Sequence, residues 1–330
     1  MTTTKHTPSP TPRHFLAFGN TEAEKMKATG RYGMAANYRC ACHSLSKFLH
    51  SKNKRDISFR QLTTTLMEDY QNWLWKNHVC RNTSSFYMRS LQAIYSKAVR
   101  TGIAEGNPFQ RIYRGVAKTA KRAISADDIR DLRLLNLRAK VEERGYDPNS
   151  YRGNQLLQRM EFARDIFIFS FCARGFTFVD LAYLRKSDIR HGIICYARRK
   201  TLQQLEVKVE PLMQEIIDRY ATNSPYVFPI IKPDADDQQA YAQYRYRLQR
   251  YNKSLKMLSD MAEKDIKLTS YVSRHSWATN ALYHQVPISI ISQAMGHESV
   301  RTTAIYLKSF ESSQIDQANQ SIIASVFQES

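Results

Sequence analysis

Over most of its length this chain repeats its apolar residues every three or four positions, the period of helices that bury one face. One stretch departs from that period. Leu205, Val207 and Val209 alternate with Glu206, Lys208 and Glu210, as in a half-buried strand running from Leu205 to Pro211. A second strand is read from His191 to Arg198, and the polar residues Arg198-Arg199-Lys200-Thr201 lie between the two. One hairpin's worth of strand among many helices predicts a mainly α chain with a small antiparallel β-sheet.

The helical pattern falls into two blocks. In the first, Ser58 and Gln61 form a capping box for a helix carrying Leu62, Leu66, Tyr70, Trp73 and Leu74. Phe86, Leu91, Ile94, Tyr95 and Val99 continue at helical spacing until Gly102 and Gly106-Asn107-Pro108 end the run. This block reads as a bundle of about four helices whose aromatics fill its core rather than stack on bases. In the second, Ser125 and Asp128 offer another capping box, Glu161 to Ala173 is apolar enough for a buried helix, and helices are expected near 213–221, 239–262 and 271–284. Pro287 opens and Gly296 closes a further helix, and Ser299 caps a short one that carries Tyr306. The expected organisation is a flexible tail over 1–20, a helical domain over 21–112, a basic linker over 113–122, a mixed α/β domain over 123–310 and a C-terminal helix over 311–330. That last helix is expected to dock on its own domain or on a neighbouring subunit.

Charge narrows the function. The 330 residues hold 49 Lys and Arg against 30 Asp and Glu, a net of +19. Residues 1–122 alone hold 21 against 6, a net of +15. A small domain this basic reads as a polyanion binder that gains from releasing the counterions of nucleic acid. An anionic membrane surface would call for a basic amphipathic helix with an exposed aromatic face, which is not evident. The apolar run Ile166–Ala173 stops at Arg174, well short of the roughly 20 residues of a spanning helix. Met1–Pro12 is polar and proline-rich, unlike a secretory signal. Five scattered cysteines suit a reducing, cytoplasmic setting, and Cys40, Cys42 and His43 lack a second ligand pair at zinc spacing. Glycine, at 11 residues, is too scarce for a glycine-rich nucleotide-binding protein.

The most specific segment lies near the C-terminus: SRHSWAT at 273–279, then AMGHESVRTTAIYL at 294–307, with nine residues from His297 to Tyr306. This resembles the tyrosine recombinase (phage integrase) family, whose signature is an H-x-x-R box, then L-G-H, then a nucleophilic tyrosine nine residues on. The likeness extends to Arg174, Lys200 and the basic helical domain, and so covers nearly the whole chain. It implies a helical core DNA-binding domain followed by a mixed α/β catalytic domain. By this resemblance Tyr306 is the nucleophile of a 3′-phosphotyrosyl link, and Arg174 and Arg274 clamp the scissile phosphate. His297 bonds a phosphate oxygen or assists the tyrosine, and Lys200 is the general acid. The residue types suit the reaction, because guanidinium forks grip phosphate oxygens without deprotonating. A phenol forms an ester that leaves readily, but with a pKa near 10 it needs help to ionise.

Two departures stand out. The family's first arginine precedes an acidic residue by three; here Thr177 stands three before Asp180, and Arg174 is one turn earlier. On a continuous helix positions 174 and 177 would share a face, so Arg174 takes the role; a buried salt bridge to Asp180 is the structural alternative. The histidine of H-x-x-R is replaced by Tyr271, which donates a hydrogen bond but is a poor base. Base duty then falls to His297 or to no side chain. The resemblance implies a site-specific, bacterial, cytoplasmic recombinase of the integrase or invertase type that acts on double-stranded DNA. It further implies a homo-oligomer, a tetramer in the synapse, with accessory DNA-bending proteins as further partners. No membrane, metal or other cofactor is implied. A DNA-binding protein that has lost the chemistry, and a relaxing enzyme of the type IB topoisomerase kind, are the alternatives.

Overall fold

The computed structural model describes residues 13–117, 123–263, 266–306 and 319, and the chain divides into two compact units at 119/120. The first unit is all helical: α1 (Phe15–Ala28), α2 (Tyr32–Ser51), α3 (Thr64–Lys76) and α4 (Arg81–Arg100). Its core holds Phe15, Leu45, Phe48, Tyr70 and Leu91, all essentially inaccessible to solvent, so the aromatics pack inside as expected. Two boundaries differ from the sequence reading. The first helix begins at Phe15, not after residue 20, because Phe15 is completely buried and the Asp56 carboxylate accepts the free N–H groups of Leu16 and Ala17. The Ser58–Gln61 pair closes a separate one-turn helix, Phe59–Gln61, while Thr63 caps α3 by accepting from Leu66 N–H.

The second unit is built around one long helix. In chain order it contains α5 (Ala126–Leu134), α6 (Leu137–Glu143), α7 (Tyr151–Cys172), α8 (Phe178–Tyr183), strands β1 (Ile189–Arg190), β2 (Ile193–Ala197) and β3 (Gln204–Lys208), then α9 (Pro211–Arg219), α10 (Asp237–Met261), α11 (Val272–Tyr283), α12 (Ile288–Ala294) and α13 (Val300–Tyr306). The C-terminal half of α7 buries Met160, Ala163 and every residue from Asp165 to Ser170, and the helix packs against α5, α6, α9, α10 and α11. Ser125 and Asp128 form the expected capping box.

The sheet is antiparallel in the order β1-β2-β3, with Ile193 opposite Lys208 and Ala197 opposite Gln204. The expected strand from His191 loses its first two residues to a tight turn. His191 and Gly192 both take positive φ, 50° and 74°, the mark of the two-residue hairpin turn that matches strand twist. The fold is thus mainly α with a small antiparallel sheet. No described helix is long and apolar enough to cross a membrane. The expectations for 1–12, 118–122 and the C-terminal helix over 311–330 fall outside the described residues, apart from Asn319.

Candidate active site

α7 does not continue through Arg174. The helix ends at Cys172, and Arg174 and Gly175 both adopt the left-handed conformation, φ 59° and 75°. Gly175 N–H and Phe176 N–H return to Ser170 O, closing the helix end. The expected continuous face from 174 to 177 therefore does not exist; Thr177 instead caps α8. Arg174 pays a conformational cost of about 1–2 kcal/mol for a non-glycine residue there. In return its side chain leaves the helix axis, and Nη1 donates to Glu206 O on β3 at 3.2 Å. The alternative salt bridge to Asp180 is not formed. Asp180 is buried and accepts from the Thr177 hydroxyl at 2.5 Å and from Arg199 N–H at 2.9 Å.

Arg274, from α11, meets this turn. Its Nη1 donates to Gly175 O at 2.7 Å, so the two expected arginines are joined through the residue that follows the first. The approach is close enough that a Cβ on Gly175 would stand 2.8 Å from Arg274 Cα. Hydroxyls hold the two elements together: Ser273 and Ser170 lie 2.7 Å apart, and Ser170 donates to Phe176 O at 2.6 Å. Arg274 Nη2 donates to Met295 O at 2.5 Å and to His297 Nε2 at 3.0 Å.

The state of His297 follows from those partners. A guanidinium offers no acceptor, so Nε2 must be the unprotonated nitrogen. The proton sits on Nδ1 and is donated to Thr303 Oγ1, 2.8 Å away on α13. Burial pushes the imidazole pKa down to about 3, with the charges of Arg274, Arg198 and Lys200 acting the same way. His297 is therefore a neutral link with both ring nitrogens engaged. Thr303, completely buried, passes that link to the helix that ends at Tyr306, one turn further on. Sequence reading missed Thr303; no signal beyond its place between His297 and Tyr306 marks it.

The turn between β2 and β3 supplies the remaining cations. Lys200 is exposed at its tip. Arg198 is buried, and its Nη1 donates to Gly296 O at 2.6 Å. Among the described residues none of Arg174, Arg198 and Lys200 forms a salt bridge with a carboxylate. Tyr271 immediately precedes the first turn of α11 and is 50% exposed. It stands three residues before the buried Arg274 in sequence. His275 is half-buried, and Trp277 packs against Ala278, Ile291 and Met295. The arrangement thus brings the Arg274 and Arg198 guanidinium groups and a neutral imidazole to the Gly175 turn and the 295–297 loop, with Arg174 bonded to β3 and Lys200 exposed on the hairpin turn. Such a set can hold a phosphate oxyanion and neutralise charge that grows on it.

Two family models match the sequence. One, described as the phage integrase SAM-like domain, matches residues 14–117. The other, described as the phage integrase family, matches residues 170–313. No curated protein matches. Among solved structures the chain is similar to a lambda integrase (75–356) dimer bound to a COC' core site, at 12% identity and a TM-score of 0.59, covering 89% of this chain and 95% of that one. It is similar to a lambda integrase tetramer bound to a Holliday junction, at 12% identity and TM-score 0.60, covering 93% and 82%. It is also similar to the Tn1549 transposon integrase in complex with a circular intermediate DNA, at 12% identity and TM-score 0.59, covering 93% and 100%. At these identities the likeness to solved structures is one of fold.

Proposed function

Because the chain belongs to the tyrosine recombinase (phage integrase) family, we propose that it is a site-specific DNA recombinase that breaks and rejoins strands through a covalent bond to Tyr306. The phenolic oxygen attacks the scissile phosphorus, the bond to the 5′-oxygen breaks, and a 3′-phosphotyrosyl ester and a free 5′-hydroxyl result. Arg174 and Arg274 hold the non-bridging oxygens as charge grows on them. Lys200 gives the leaving 5′-oxygen its proton. With both His297 nitrogens engaged, its part is to hold α13 against Arg274 through Thr303. The guanidinium charge favours the phenolate, and the phenol's proton goes to solvent. Attack by a 5′-hydroxyl from another strand reverses the step and completes exchange. Tyr271, in the position of the H-x-x-R histidine, donates a hydrogen bond to a phosphate oxygen in this scheme.

One observation carries this reading: the continuous chain Gly175–Arg274–His297–Thr303, ending one turn before Tyr306. The net charge of +15 over residues 1–122 supports double-stranded DNA as the partner. The lambda integrase tetramer on a Holliday junction supports a homotetramer on two duplexes.

The test is to trap covalent protein–DNA adducts from cells carrying the gene and to sequence the attached DNA. The wild-type protein is expected to give adducts at a defined site, with the phosphate on Tyr306, and Tyr306→Phe is expected to give none. An unchanged adduct yield from Tyr306→Phe overturns the assignment.

A further inference from the structure

We propose that Arg198 is a positioning residue, fastening the turn that carries Lys200 to the Gly296–His297 loop and so fixing the acid against the phosphate-binding side chains. The inference rests on the reading of Lys200 as proton donor. Neither the sequence pattern nor the comparisons give Arg198 this role.

The turn is pinned on two sides by two successive arginines. Arg199 fixes one side: its N–H donates to Asp180 Oδ1 at 2.9 Å, and its guanidinium lies 3.7 Å from the centre of the Tyr183 ring. Arg198 fixes the other. Its backbone is the base of the turn, with N–H donating to Gln203 O at 2.9 Å and O accepting from Leu202 N–H at 2.7 Å. Its side chain reaches across to Gly296 O at 2.6 Å. Lys200, two residues on, is left exposed. The loop is gripped at three successive residues, Met295 and His297 by Arg274 and Gly296 by Arg198. Gly296 has φ 63°, and a Cβ there would stand 3.2 Å from Arg198 Cδ and 2.8 Å from Leu205 Cδ1, so the hairpin and the loop are in direct contact.

The chemistry of Arg198 argues against simple packing. It is 4% exposed, and its Nε is buried with no hydrogen-bond partner among the described residues. A buried guanidinium is costly, and an apolar side chain of similar length would fill the same space. What an apolar side chain cannot do is hold the Gly296 carbonyl at a fixed distance from the Lys200 turn. Proton transfer to a leaving oxygen needs the donor within hydrogen-bond reach, so a loosened turn costs rate more than binding.

The experiment uses the full chain and a duplex carrying the site mapped from the adducts, made with an ordinary phosphodiester or with sulfur replacing the bridging 5′-oxygen. With sulfur, the P–S bond breaks and a thiolate departs. A thiol pKa of about 8.5, against about 16 for water, removes the need for a proton donor. Arg198→Met is expected to cleave the ordinary duplex roughly 100-fold more slowly than wild type while binding it within about twofold. On the sulfur duplex it should recover to within about threefold, as Lys200→Ala does. Arg198→Lys, which keeps a donor for Gly296 O, should retain most of the rate, and melting curves of both variants check folding. A wild-type rate for Arg198→Met on the ordinary duplex overturns the inference. So does a loss that follows weaker binding, or a defect that sulfur relieves in Lys200→Ala but not in Arg198→Met. If sulfur relieves neither variant, the acid assignment to Lys200 falls and takes the link with it. If the wild-type protein forms no adduct at all, it is the recombinase reading that fails.

Discussion

At position 297 the surrounding protein alone fixes the protonation state. The imidazole pKa is pushed from 6.5 down to about 3, chiefly by burial. In the unfolded chain the same group takes up a proton below pH 6.5, whereas the folded protein stays neutral until about pH 3. The unfolded state therefore binds more protons between those values, and stability falls as pH falls through that window. One proton corresponds to a slope of about 1.4 kcal/mol per pH unit, approached below about pH 5.5. His297→Gln is expected to flatten this slope in denaturant titrations at pH 7, 6 and 5; an unchanged slope would show that the buried imidazole is not its source. The neighbouring glycine at 175 makes a second expectation. Its φ of 75° and the 2.8 Å from an added Cβ to Arg274 Cα mean that Gly175→Ala should destabilise the protein by at least about 1–2 kcal/mol, read as a lower melting temperature.

Elements, rather than single residues, explain which parts of the site sequence reading could reach. Spacing within one element was readable: the helix carrying Arg274, the Gly-His loop and the helix ending at Tyr306 all fall where period and caps put them. So was the turn carrying Lys200, because alternation marks strand β3 on its own. Breaks between elements were not. The helix end at Cys172 has no proline, and its left-handed residue is an arginine followed by glycine, so periodicity ran on through position 174. The partners of Arg274 lie 99 and 21 residues away, and no local pattern predicts that carbonyls of Gly175 and Met295 meet one guanidinium. Thr303 is of the same kind. Thr303→Val keeps the shape but leaves the His297 Nδ1–H buried without its acceptor, at a cost of about 1–3 kcal/mol. Because α13 loses its tie to Arg274, adduct formation should slow at least tenfold while DNA binding persists. Thr303→Ser, which keeps the hydroxyl, should recover the rate. Equal rates for the valine and serine variants would remove Thr303 from the site.

At the scale of the whole chain, two units carry different charges and separate cores. The helical unit encloses Phe15, Phe48 and Tyr70 in a cluster of its own, and the second unit has its own cluster around α7. Acids in the first unit are largely committed to internal partners: Glu22 to Lys25 and Lys97, Glu24 to Arg39, Asp69 to Lys52, and Asp56 to the start of α1. Over residues 1–122 the 21 Lys and Arg outnumber the 6 Asp and Glu by 15. Residues 123–330, with 28 Lys and Arg against 24 Asp and Glu, net only +4. Counterion release scales with the phosphates neutralised, so sequence-independent affinity should follow this imbalance. A fragment of residues 13–122 is expected to bind random duplex DNA with a steep salt dependence. For about six phosphate contacts the slope of log K against log salt is about −5. A fragment of residues 123–330 should give a slope no more than about half as steep. Circular dichroism of both fragments shows whether each core folds alone, and titrations between 50 and 200 mM salt measure the slopes. Equal slopes from two folded fragments would mean that the second unit, despite its near-balanced charge, gathers as many phosphates as the basic one, and the first unit would lose its place as the main electrostatic anchor.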